Sequence, residues 1–220
     1  MIDTRRTRRA PRGGPGTDQE RVQRDVKRVV AFSDGVFAIT ITLLVLEIKR
    51  PTGYSDLLHG LAALWPSYLA YVVTFLFIGQ VWANHHVMFD HIRAADRMVL
   101  LLNTLLLMTV AFLPFATSVL AGALRAGNSK RTAVVFYCIA FDVTALTFNA
   151  VWQYVRSRGL ISEALNPAGA AAITGRFRLA LAWLTTGALV GTALPILGLG
   201  VIVAFNAFYW LPIRGESPPH

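Results

Sequence analysis

Three groups of residues in this sequence have the types and spacing to do chemistry. Arg28, Ser33 and Asp34 sit at the entrance of a long apolar run that also holds Thr40 and Thr42. His85-His86-x-x-x-Asp90-His91, followed by Asp96 and Asn103, gathers imidazoles, carboxylates and an amide within a few helical turns. Asp142 lies inside another apolar stretch, with Asn149 two turns further on. Ser33 and Asp34 suit either a hydrogen-bonded anchor or the attraction of a cation. His86 and Asp90 stand at i, i+4, a spacing that suits a shared metal ion. An acid at membrane depth suits a proton relay or a hydrogen bond between helices.

Geometry narrows these readings. Arg28 and Asp34 on one straight helix are about 9 Å apart along the axis, too far for the usual i, i+4 pair. Each therefore needs a partner elsewhere, and His85, His86, Asp90, His91, Asp96 and Asn103 are the candidates. A buried carboxylate held by such groups would lock its helix in place, at high cost if one partner were removed. A histidine-box metal centre needs more imidazoles than this chain offers. Of its five histidines, His59 lies in another loop and His220 is terminal. A hydrogen-bond network is the better account of the cluster. No phosphate-binding loop, nucleophile elbow or zinc-protease motif occurs, so no metal, cofactor or catalytic residue is assigned and the chain is not read as an enzyme.

The elements that must position these groups are membrane helices. Hydrophobic residues make up 55% of the 220, charged residues 15%, and the mean hydropathy is +0.51. A soluble domain of this size would need far more polar surface. Apolar segments run over 29–48, 60–84, 98–122, 132–155, 178–194 and 196–212, predicting an all-α protein with six spans. The last two are short and meet at Pro195 as a tight hairpin, with a re-entrant pair as the alternative. Residues 1–20, rich in Arg, Gly and Pro, are expected to form a disordered basic tail, leaving 21–215 as the six-span domain. Residues 157–174 read as a linker along the membrane surface, with turn formers at Asn166, Pro167 and Gly169. Gly187-x-x-x-Gly191 is a small-residue face for close helix packing. Cys138 is the only cysteine, so no intramolecular disulfide forms.

The net charge of +9 invites a nucleic-acid reading, but the basic residues sit at helix ends. With six spans, sixteen Lys and Arg fall on the side of the termini and five on the other. The positive-inside rule then places both termini of a multi-pass cell-membrane protein in the cytoplasm, with lipids as its surroundings.

Ile39, Leu43 and Leu46 fall at i, i+4 and i+7, one stripe of the first helix. On a single membrane helix such a stripe is a packing seam or a lipid face. Thr42 beside it, and the polar entrance before it, favour a third reading. Around a symmetry axis the stripe would make successive aliphatic rings, which block ions by dewetting when narrow.

Arg28-x-x-x-Phe32-Ser33-Asp34-Gly35-Val36-Phe37-Ala38-Ile39, continuing through Thr42-Leu43-Leu44-Val45-Leu46-Glu47-Ile48, resembles the first helix of prokaryotic members of the transmembrane protein 175 family of potassium channels. Trp82-x-x-His85-His86, Phe89, Ile92, Asp96, Leu101-Leu102-Asn103 and Phe112-Leu113-Pro114-Phe115 agree with it in order. The likeness covers residues 28 to 115, about half the chain.

The resemblance implies a potassium channel of unusual fold, without a carbonyl-lined filter, and no TVGYG-like sequence occurs here. It implies a pore lined by the first helix, with Ile39 the tightest ring, Leu43 and Leu46 further rings, and Thr42 a hydroxyl ring favouring potassium over sodium. Arg28, Phe32, Ser33, Asp34, His85, His86, Asp96 and Asn103 become anchors of that helix. The animal relatives carry two six-span repeats in one chain. This single repeat is therefore expected to assemble as a homotetramer conducting potassium ions. The alternative is a proton-coupled transporter built on Asp142, and a third possibility is a membrane scaffold that conducts nothing.

Overall fold

Seven helices make up the computed structural model, which describes residues 15–51 and 55–209, with side chains from Gln23 onward. They are α1 (Pro15–Leu43), α2 (Leu57–Ala62), α3 (Trp65–Asp90), α4 (Arg97–Ala126), α5 (Lys130–Ser157), α6 (Pro167–Ala193) and α7 (Pro195–Tyr209). The tail expected over residues 1–20 lies outside the described residues up to position 14, and residues 15–20 form the start of α1.

Among the described residues four helices are long and apolar enough to cross a membrane: α1 from Gln23 through the following turn to Glu47, then α3, α4 and α5. The expected count of six is met only in part. Helix α6 has 27 residues, but Arg176, Arg178, Thr185, Thr186 and Thr192 dilute its apolar character. Helix α7 is apolar, and its 15 described residues, up to Tyr209, span about 22 Å of the roughly 30 Å hydrocarbon layer.

Helices consecutive in the chain fold back on one another: α3 on α4, α4 on α5, α5 on α6, α6 on α7, with α7 also against α3 and α5. Among the described residues helix α1 packs mainly on α3 and α4, so it stands at the edge of the bundle. The turn between α4 and α5 is tight because Gly127 adopts φ 76°, a left-handed conformation that costs glycine nothing. Proline 114 sits inside α4 without ending it.

The core lies where α3, α4 and α5 meet. Phe77 and Phe141 stack with centroids 3.9 Å apart beside the fully buried Tyr137, and further along α5 the buried Trp152 packs on Phe177 of α6. The Thr74 hydroxyl joins Thr117 Oγ1 at 2.8 Å and Tyr137 Oη at 2.7 Å, so a buried polar knot ties the three helices. Such groups persist in an apolar interior only when they are bonded to each other.

The linker expected over 157–174 is shorter than predicted. Asn166 accepts the Gly169 amide at 2.7 Å and Pro167 occupies the first turn, a helix start rather than a loop. The hairpin at Pro195 is as tight as expected, with Leu194 alone between α6 and α7. There a Cβ on Gly198 would lie 2.5 Å from Gly191 Cα and 2.8 Å from the Gly187 carbonyl. The Gly187-x-x-x-Gly191 face therefore receives the α7 backbone itself. The loops after α3 and α5 meet in a single antiparallel bridge between Ile92 and Ile161, with Ser162 N donating to His91 O at 2.8 Å.

Candidate functional site

Helix α1 divides lengthwise into two faces. Val26, Ser33, Phe37, Thr40 and Leu44 are buried against α3 and α4. Their spacing of seven, four, three and four residues is that of one stripe. The opposite side carries Phe32, Ile39, Leu43 and Leu46, exposed by 63%, 61%, 45% and 68%, with Thr42 exposed among them. Of the four candidate spans α1 is the least buried within the chain. An apolar helix that turns most of its large side chains outward needs a further surface or lipid to cover them.

The inward face is fixed by a directed chain of hydrogen bonds. His85 Nε2 lies 3.0 Å from Asn103 Oδ1, Asn103 Nδ2 donates to Ser33 Oγ at 3.0 Å, and Ser33 donates to Val29 O at 2.9 Å. The chain runs from α3 through α4 to α1. All three side chains are almost completely buried. Phe37 and Phe89 enclose the His85 ring, at 5.5 and 4.3 Å between centroids. Asp34 has a separate donor: Trp82 Nε1 reaches its Oδ1 at 2.9 Å, and His86 Nδ1 stands 3.9 Å from the same oxygen. A cleft of about 580 Å³ opens beside Asp34 and His86, with Lys27, Asp90 and Arg93 in its walls.

The anchors expected from the sequence thus separate. Ser33, Asp34, His85, His86 and Asn103 come together on α1, α3 and α4 as a latch of two adjacent contacts, Ser33–Asn103–His85 and Asp34 with Trp82 and His86. Arg28 and Phe32 are exposed. Asp96 belongs to a second contact: it caps α4 through the Val99 amide at 2.8 Å and accepts the Tyr154 hydroxyl at 2.7 Å. These bonds, that of Tyr154 first, hold its carboxyl below the usual carboxylate range. Trp82, part of the sequence motif, is the direct donor to Asp34. An indole N–H at membrane depth needs an acceptor, and that need was the available signal. Phe37, one turn beyond Asp34 on the buried face, was missed as the wall of the His85 site. The histidine cluster does not converge: His85 faces the core, His86 faces Asp34, and His91 lends its backbone to the loop bridge. Among the described residues no three His, Cys, Asp or Glu side chains stand where they could hold a metal ion.

On the exposed face, the α-helix tightens to a 3-10 turn over Leu44–Glu47. Thr42 Oγ1 bonds Ile39 O at 2.8 Å and Ala38 O at 3.1 Å, so its proton is spent on its own helix and its oxygen lone pairs remain available. Asp142 is distant from this arrangement. It accepts the Thr185 hydroxyl at 3.1 Å across α5 and α6, helices outside the main packing of α1 on α3 and α4.

A family model described as the endosomal/lysosomal potassium channel TMEM175 matches residues 28–114, the stretch that holds the whole latch. A potassium channel of Streptomyces collinus is 42% identical over 193 residues, covering 84% of this chain and 93% of that one. A potassium channel of Chamaesiphon minutus is 40% identical over 161 residues, 71% of this chain and 79% of that one. The crystal structure of a lysosomal potassium-selective channel TMEM175 homologue from Chamaesiphon minutus aligns with a TM-score of 0.77 at 34% identity, over 84% of this chain and 96% of that one.

Proposed function

This chain belongs to the TMEM175 family, and from that premise we propose that it is a potassium-selective channel whose pore is lined by α1. The observation that carries the reading is the division of α1. One face is latched to α3 and α4, while Ile39, Thr42, Leu43 and Leu46 are turned out of the subunit. Four copies around an axis would cover this face and turn its stripe into rings. Ile39 forms the narrowest ring, Leu43 and Leu46 the next, and these exclude water until the helices part. Thr42 adds a ring of hydroxyl oxygens with free lone pairs, which replace part of the hydration shell of potassium more readily than that of sodium.

The assembly is a homotetramer in the cell membrane, each subunit crossing six times, with α6 and α7 completing the count and both termini in the cytoplasm. The latch at Ser33 and Asp34 keeps α1 rigid, so that the radius at Ile39 is set by subunit packing. Permeation is passive and needs no cofactor. Potassium flux through the purified protein in liposomes tests this. Current reversing toward the potassium equilibrium potential, unchanged when the proton gradient is removed, is the expected result; flux that requires a proton gradient and vanishes in Asp142→Asn overturns it.

A further inference from the structure

Four arginines, Arg156, Arg158, Arg176 and Arg178, gather where α5 ends and α6 begins its membrane course. Two have partners within the protein. Arg158 contributes to the field that lowers the Asp96 carboxyl, and the Arg176 guanidinium lies 4.4 Å over the ring of Tyr209. Arg156 and Arg178 are exposed, and among the described residues no carboxylate lies within 4 Å of either.

We infer that Arg156 and Arg178 form a clasp for the phosphate of an anionic phospholipid. Arg156 is pre-positioned for it: its Nη1 donates to Thr174 Oγ1 at 2.8 Å, and the same oxygen accepts Trp152 Nε1 at 2.9 Å while donating to Ala170 O. That contact occupies one of the five N–H groups of the guanidinium and leaves its outer edge open. Arg178 follows Thr174 by one turn on the same side of α6, about 6 Å along the axis. Arg176 points to the other side, toward α7.

The depth is right for a headgroup. Helix α5 has 28 residues, about 42 Å, which matches the roughly 40–45 Å of a bilayer including its polar layers. Arg156, one residue from its end, therefore lies among phosphates; Arg178 lies about two turns deeper, level with Asn149, which bonds the Phe177 carbonyl, and its long basic side chain extends outward to reach them. A basic pocket between two membrane helices at this level is suited to a fixed lipid phosphate, beyond the diffuse attraction of a charged surface.

Native mass spectrometry of the full chain, released from detergent with phosphatidylglycerol or phosphatidylcholine, tests the clasp without any measurement of conductance. The expected result is retention of phosphatidylglycerol over phosphatidylcholine, at least halved in Arg156→Gln/Arg178→Gln and kept in Lys130→Gln/Arg131→Gln at the opposite end of α5. Thr174→Val, which retains both charges but releases Arg156, should give an intermediate loss and serves if the double variant does not fold. Equal retention in the double variant, equal loss in the Lys130/Arg131 pair, or displacement of the lipid by free inorganic phosphate would each overturn the proposal.

Discussion

Asn103 reaches Ser33 across 70 residues of sequence, its Nδ2 donating to the serine hydroxyl at 3.0 Å deep inside the bundle. Its other amide atom meets His85 at 3.0 Å, so one side chain on α4 holds both α1 and α3. Asn103→Leu would leave the His85 Nε2–H without an acceptor and remove the donor to Ser33, whose own bond to Val29 O remains. Each unsatisfied buried group costs roughly 1–3 kcal/mol. The expected outcome is a large fall in thermal unfolding midpoint in detergent, accompanied by loss of potassium flux. Full stability in this variant would show that the latch does not hold α1.

Leu43 and Leu44 are neighbours with opposite fates, one 45% exposed and the other fully buried. Leu44→Ala should destabilise the fold by about 2–5 kcal/mol through the cavity it leaves. Leu43→Ala and Ile39→Ala should leave subunit folding alone and raise flux, by about tenfold if the hydrophobic barrier drops by about 1.4 kcal/mol. Unfolding curves and liposome flux on the same preparations separate the two effects. Identical behaviour of both leucine variants would remove the stripe from the pore.

Much of this latch was legible because buried polar groups on membrane helices must find one another. Asp34 needed a partner that Arg28 could not supply, and His86 stands near it while Asn103 and His85 secure Ser33. What the sequence did not show was the division of labour. Asp96 went to a helix cap, since a carboxylate just before Arg97 finds the free amide of Val99 nearer than any group on α1. The fold followed similar lines. Long apolar runs predicted α1, α3, α4 and α5, but the start of α6 was hidden because Asn166-Pro167 reads equally as a turn and as a helix opening. The 3-10 turn at Leu44–Glu47 has no marker in its residue types.

Thr42 spends its only proton on backbone carbonyls, which fixes the direction of its lone pairs. Thr42→Val keeps the shape of the side chain and removes the oxygen on which the proposed selectivity ring depends. With a hydroxyl interaction of about 1 kcal/mol, the potassium-to-sodium permeability ratio should fall roughly fivefold. Bi-ionic reversal potentials measure this directly, and an unchanged ratio would assign selectivity elsewhere.

Gly198 has no room for a methyl group, because the atoms around it are backbone of α6 and cannot swing aside. Gly198→Ala should force α6 and α7 apart at a cost of about 1–3 kcal/mol. Gly200→Ala, two residues on and facing open space, should be near neutral. Thermal unfolding of the two variants side by side tests whether the hairpin depends on this approach.

The Asp96 carboxyl is held below its ordinary value first by the Tyr154 hydroxyl and then by the Val99 amide. A carboxyl whose folded value is depressed stabilises the folded state at every pH above its unfolded value, near 3.8. That contribution is lost as the pH falls through the folded value, when the protonated acid no longer accepts both bonds. Tyr154→Phe removes the larger cause and leaves the cap. The acid limb of the stability profile should then flatten below about pH 4, while the neutral limb shifts downward by a constant amount. Because the contact joins the start of α4 to the end of α5, amide hydrogen exchange should quicken at both ends in the variant. Unaltered exchange with an unaltered acid limb would reduce the Tyr154 contact to a surface feature without consequence for the bundle.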